Sequence, residues 1–173
     1  MKLRHLFFAC SGVFVMMFSL LLLVVIVFSD EEDGGSGGNL IYGGVSVSQE
    51  VLAHKPMLEK YAKEYGIEEY LNVLLAIIQV ESGGTLEDVM QSSESLGLPP
   101  NSLSTEESIK QGCKYFSELL AAAETKGCDL NSVIQSYNYG GGFLDYVAGR
   151  GKKYTFELAE SFARDKSGGK KVT

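Results

Sequence analysis

Two acidic residues seven positions apart, Glu81 and Asp88, are the side chains in this chain best suited to acid–base chemistry. Glu81 closes an apolar run that starts at Tyr70, and Gly83 and Gly84 follow it as a helix stop. Partial desolvation and the negative end of a helix dipole both disfavour an ionised carboxyl there, so its pKa is expected to be raised, as a general acid requires. Asp88 lies across the glycine turn, with Gln91, Ser92, Ser93 and Glu94 close behind. A raised carboxyl facing an ionised one across a cleft is an arrangement that cleaves glycosidic bonds. Glu94 is the alternative second carboxylate. Taken singly, Glu81 reads equally as a solvated helix-end glutamate and Asp88 as a solvated loop residue.

Tyr137 and Asn138, just before Gly140-Gly141-Gly142, offer a ring face and an amide that suit a sugar ring and an N-acetyl group. The same residues also read as core packing and helix termination. Other chemistries find less support. His54 and His5 are the only histidines, and no Cys or His partners stand at ligand spacing, so neither a metal nor another cofactor is expected. An unbroken helix from Cys113 would put Cys128 about 20 Å away, beyond disulfide reach. The glycine runs lack the strand–loop–helix context of a phosphate site.

The acids must be positioned by helices. Val73 to Ile78 and Val80 leave no polar face at a 3.6-residue period, which predicts a core helix buried on nearly every side. Ser48 is a candidate N-cap for a helix through Tyr65, with a kink or a break into two near His54 because Pro56 interrupts the donor ladder. Ser104 opens a capping box with Glu107 for a second core helix ending near Gly127. Gly112 inside it is expected to admit close approach of another backbone, such as the central helix. Shorter helices follow from Asp129, from Phe143 and from Thr155. Together these predict an all-α domain of six or seven helices, with any strand pair confined to the loops around Asp88 to Asn101.

Leu6 to Phe28 is an uncharged stretch of 23 residues, long enough to cross a bilayer and running into Ser29 and Asp30 without a small-residue cleavage site. Lys2 and Arg4 precede it and every acid follows it, so an uncleaved anchor with a cytoplasmic N-terminus and an exported bulk is expected. The exported part holds 13 basic against 22 acidic residues, which argues against a nucleic-acid partner. The expected organisation is a tail at 1–5, the anchor at 6–28, a flexible glycine-rich acidic tether at 29–47, one domain at 48–166 and a linker at 167–173.

The runs VESGG, DVMQSSES, SIKQGCKYF and QSYNYGGGF, spread in order between about Leu52 and Phe162, resemble the CwlT-like lysozyme domain of the goose-type lysozyme and soluble lytic transglycosylase superfamily. That resemblance implies a lysozyme-like helical fold with Glu81 as catalytic acid and Asp88 as second carboxylate. Gln91, Ser93, Glu94, Tyr137 and Asn138 would then be substrate-cleft positions. The implied reaction is cleavage of the β-1,4 bond between N-acetylmuramic acid and N-acetylglucosamine in peptidoglycan, at the cell wall outside the membrane. Two-domain relatives come from conjugative elements, which implies work beside secretion or conjugation machinery. In them a cysteine peptidase domain follows, so this chain is expected either to be a portion of such a protein or to carry one activity alone. A lytic transglycosylase at the same bond and a non-enzymatic wall-binding assembly module are the alternatives.

Overall fold

The computed structural model describes residues 41–42 and 45–167. The expected membrane segment at 6–28 lies outside them. Among the described residues no helix is long and apolar enough to cross a membrane. The architecture is helical: α1 (Gln49–Ala53), α2 (Lys55–Glu64), α3 (Leu71–Glu81), α4 (Thr105–Lys126), α5 (Leu130–Tyr139), α6 (Gly142–Ala148) and α7 (Phe156–Lys166).

Ser48 caps α1 by accepting the Val51 N–H, and Pro56 at the start of α2 splits the expected first helix in two at His54. A short 3-10 turn, Glu68–Tyr70, then feeds α3. Six consecutive side chains of α3, Val73 to Ile78, are buried, and each large one contributes roughly 1.5–3 kcal/mol by leaving water. Helices α1 and α2 pack against α3, and α2 also packs against α4. The capping box of Ser104 and Glu107 starts α4, and Gly127 in the left-handed region ends it. Beyond α5, a satellite core of Phe143, Val147, Ala159 and Phe162 joins α6 to α7. Cys113 is buried and Cys128 half-buried, both as free thiols.

Two expectations change. The strand pair does not lie between Asp88 and Asn101, where a 3-10 helix, Ser92–Leu96, is found instead. It is formed by β1 (Ile41–Tyr42) and β2 (Val45–Ser46), paired antiparallel within the span read as tether. Glycine content hid two short β-prone islands there, and Val47 after them is buried in the main core.

Gly112 also differs from expectation. A Cβ there would stand 2.5 Å from Met90 Sδ and 2.9 Å from Tyr137 Oη, so the bare position makes room for side chains rather than for the backbone of α3. Met90 is fully buried and cannot swing into water. Gly112→Ala is therefore expected to cost about 1–3 kcal/mol in urea unfolding, the usual range for overpacking.

Candidate active site

The last turn of α3 brings Glu81 to the wall of a cavity of about 210 Å³. The loop after the glycine turn contributes Gln91, Ser92, Glu94 and Ser95, α4 contributes Tyr115, and the end of α5 contributes Tyr137, Asn138, Tyr139 and Gly140. Desolvation raises the Glu81 carboxyl to a pKa of about 8, and the charges of Glu94 and then Asp88 push the same way. The acid thus holds its proton at neutral pH. Glu94 is exposed on the opposing loop and shares the cavity with it.

Asp88 is placed otherwise than expected. It is fully buried and does not line the cavity. Its Oδ1 accepts from Ser92 N at 2.9 Å and from Ser108 Oγ at 2.6 Å, and its Oδ2 accepts from Ser93 N at 3.2 Å. A carboxyl so far from water needs such donors, and here they come from its own loop and from α4. Ser93 is likewise fully buried, and its contribution is the backbone N–H given to Asp88, whereas its neighbour Ser92 reaches the cavity wall.

Gln91 does line the cavity, in the left-handed region at φ 47°, where a non-glycine residue is strained by on the order of 1 kcal/mol. Its Nε2 donates to Asp88 O and to Asn101 Oδ1, both at 2.8 Å, which holds the turn. Tyr137 packs against Tyr115 with the rings tilted by 53° and their centroids 5.5 Å apart, and its hydroxyl donates to Met90 O at 3.1 Å. Burial pushes that hydroxyl well above its ordinary pKa, with Glu81 adding to the effect, so it serves as a donor. Asn138 Nδ2 is buried at the cavity without a protein acceptor. Among the described residues no cluster of His, Cys, Asp or Glu is placed to hold a metal.

Tyr115, Tyr139, Ser92, Ser95 and Gly140 complete the wall without having been singled out from sequence. Ser92 and Ser95 flank Glu94 within one turn, a signal that was available. Tyr115 stands one position off the apolar stripe of α4 and gave none.

The profile of the lysozyme-like family matches residues 48–172. The chain belongs to the lysozyme-like family. This lysozyme-like domain is 44% identical over 124 residues to the bifunctional muramidase/DL-endopeptidase CwlT of Bacillus subtilis, covering 71% of this chain and 37% of CwlT. It is 39% identical over 118 residues to the membrane protein YocA of the same organism, covering 68% of this chain and 52% of YocA. A crystal structure of a lipoprotein-like NLP/P60-family protein from Staphylococcus aureus is 76% identical and superimposes with a TM-score of 0.72, covering 73% of this chain and 43% of that one. The lysozyme-like chain therefore spans about a third to a half of the length of these relatives.

Proposed function

We propose that the domain is a peptidoglycan glycan-strand hydrolase, a muramidase cutting the β-1,4 bond between N-acetylmuramic acid and N-acetylglucosamine. The observation that carries this is a glutamate at the end of a buried helix, opening on a cavity that also holds Glu94, where desolvation raises its carboxyl to a pKa of about 8. In this reading Glu81 gives its proton to the glycosidic oxygen, and Glu94 offsets the positive charge that develops on the ring or directs the attacking water. Asn138 Nδ2 donates to an N-acetyl carbonyl, and the tyrosines stack on sugar rings. Asp88 supports the loop instead of facing the bond. The N-terminal apolar run would hold the chain at the membrane, close to wall and secretion machinery, a placement supported by the charge asymmetry around it.

One observation favours a second reading. With Asp88 committed to its loop, the cavity has a single protonated acid, which is enough for a lytic transglycosylase, where the muramyl 6-hydroxyl attacks in place of water. Mass spectrometry of fragments released from purified peptidoglycan decides between them. Reducing muramyl ends are expected. Anhydro-muramyl ends would replace hydrolysis by transglycosylation, and absence of any fragment would overturn the enzymatic reading.

A further inference from the structure

We infer that Ser108, in the first turns of α4, is a positioning residue that clamps the loop carrying Glu94 so that this carboxylate stays opposite Glu81. The inference rests on the reading of Glu81 as the acid. Ser108 is fully buried, and both capacities of its hydroxyl are used: Oγ donates to Asp88 Oδ1 at 2.6 Å and accepts from Met90 N at 3.0 Å. Its backbone carbonyl accepts from Ser92 Oγ at 2.9 Å. Asp88 passes the grip on to the N–H groups of Ser92 and Ser93, the two residues before Glu94. One helical turn further along α4, Gln111 Nε2 donates to Ser95 Oγ at 2.9 Å, on the other side of Glu94. At the far end of the loop, Ser82 Oγ donates to Val89 O at 2.7 Å, tying it to the residue directly after Glu81.

The loop is therefore stretched between the end of α3 and the start of α4, and the separation of the two acids follows from where it is fastened. Alanine at 108 would leave the Met90 N–H without its acceptor and Asp88 Oδ1 with Ser92 N alone in a dry interior. The loop would relax outward, the exposed Glu94 would move away from Glu81, and water would reach Glu81. Both effects lower the affinity of Glu81 for its proton. The charges of Glu94 and, from behind the cavity wall, Asp88 act on Glu81 from this loop and Tyr137 lies near it on α5, with Tyr115 and Tyr139 on the same cavity wall.

The test is a carbon-13 NMR titration of the Glu81 carboxyl in the parent domain and in Ser108→Ala, beside kcat and KM on peptidoglycan. A midpoint lower by about one pH unit or more is expected in Ser108→Ala, with kcat reduced about tenfold and KM nearly unchanged. An unchanged or raised midpoint in a folded Ser108→Ala overturns the inference. Should that variant not fold, Gln111→Ala frees only the exposed Ser95 end of the clamp and carries the test, with a smaller downward shift expected and no shift overturning it. The titration needs no turnover. If the parent releases no glycan fragments while the midpoint still falls in the variant, the muramidase reading fails and the clamp stands.

Discussion

Glu81→Gln is expected to lose wall-digesting activity by about 10²- to 10⁴-fold, the range a positioned general acid contributes, while the domain keeps its shape. Loss of turbidity of purified cell walls measures it, and undiminished lysis would remove Glu81 from the mechanism. The same variant should gain stability in alkali. The folded-state pKa of about 8 lies above the ordinary 4.5, so between those values the folded domain holds a proton that the unfolded chain releases. The stability tied to this proton is fully present below a pH of about 4.5 and lost as pH rises through about 8. Glutamine is neutral throughout and abolishes the loss. At a pH near 9 the variant is expected to exceed the parent by on the order of 5 kcal/mol in urea unfolding, and at a pH near 4 to match it, since one pKa unit corresponds to about 1.4 kcal/mol. Equal stability at both ends would mean that burial does not hold the proton.

The second large effect is structural. Gly84 sits at φ +77°, and a Cβ on it would come within 2.7 Å of the backbone of Glu50 and Val51 in α1. The turn and helix are fastened there by His54 Nε2, which donates to Gly84 O at 2.9 Å, and by Ser48 N, which donates to Gln79 Oε1 at 2.7 Å. Gly84→Ala must bear a left-handed conformation and push two backbones apart, so a loss of about 3 kcal/mol or more is expected. Gly83→Ala is the control. It shares the positive φ, but its nearest neighbour is Gln79 Nε2 at 3.9 Å, so it should lose only about 1–2 kcal/mol. Thermal unfolding of the pair distinguishes them, and equal losses would show that α1 is not seated on the turn.

The central helix and its terminal acid were legible because an unbroken apolar run followed by paired glycines has few other solutions. The break at His54 followed from Pro56 for a similar local reason. Asp88 was not legible. A carboxylate in a serine-rich loop looks the same whether it faces a cleft or its own backbone, and the partner that settles its direction, Ser108, stands on another helix. Ser93 was misplaced with it, since a register of one residue decides which of the two buried serines borders the cavity. The role of Gly112 was also out of reach, because it depends on Met90 and Tyr137, brought together only by the packed fold. Local punctuation is written in the chain; partners across helices are written in the packing.

The chain has no tryptophan, so its near-ultraviolet absorption and emission arise chiefly from its nine tyrosines. Three of these, Tyr115, Tyr137 and Tyr139, stand in the cavity wall. The molecule thus carries its own optical gauge, and a saccharide laid against those rings would register in the light they emit without any dye attached.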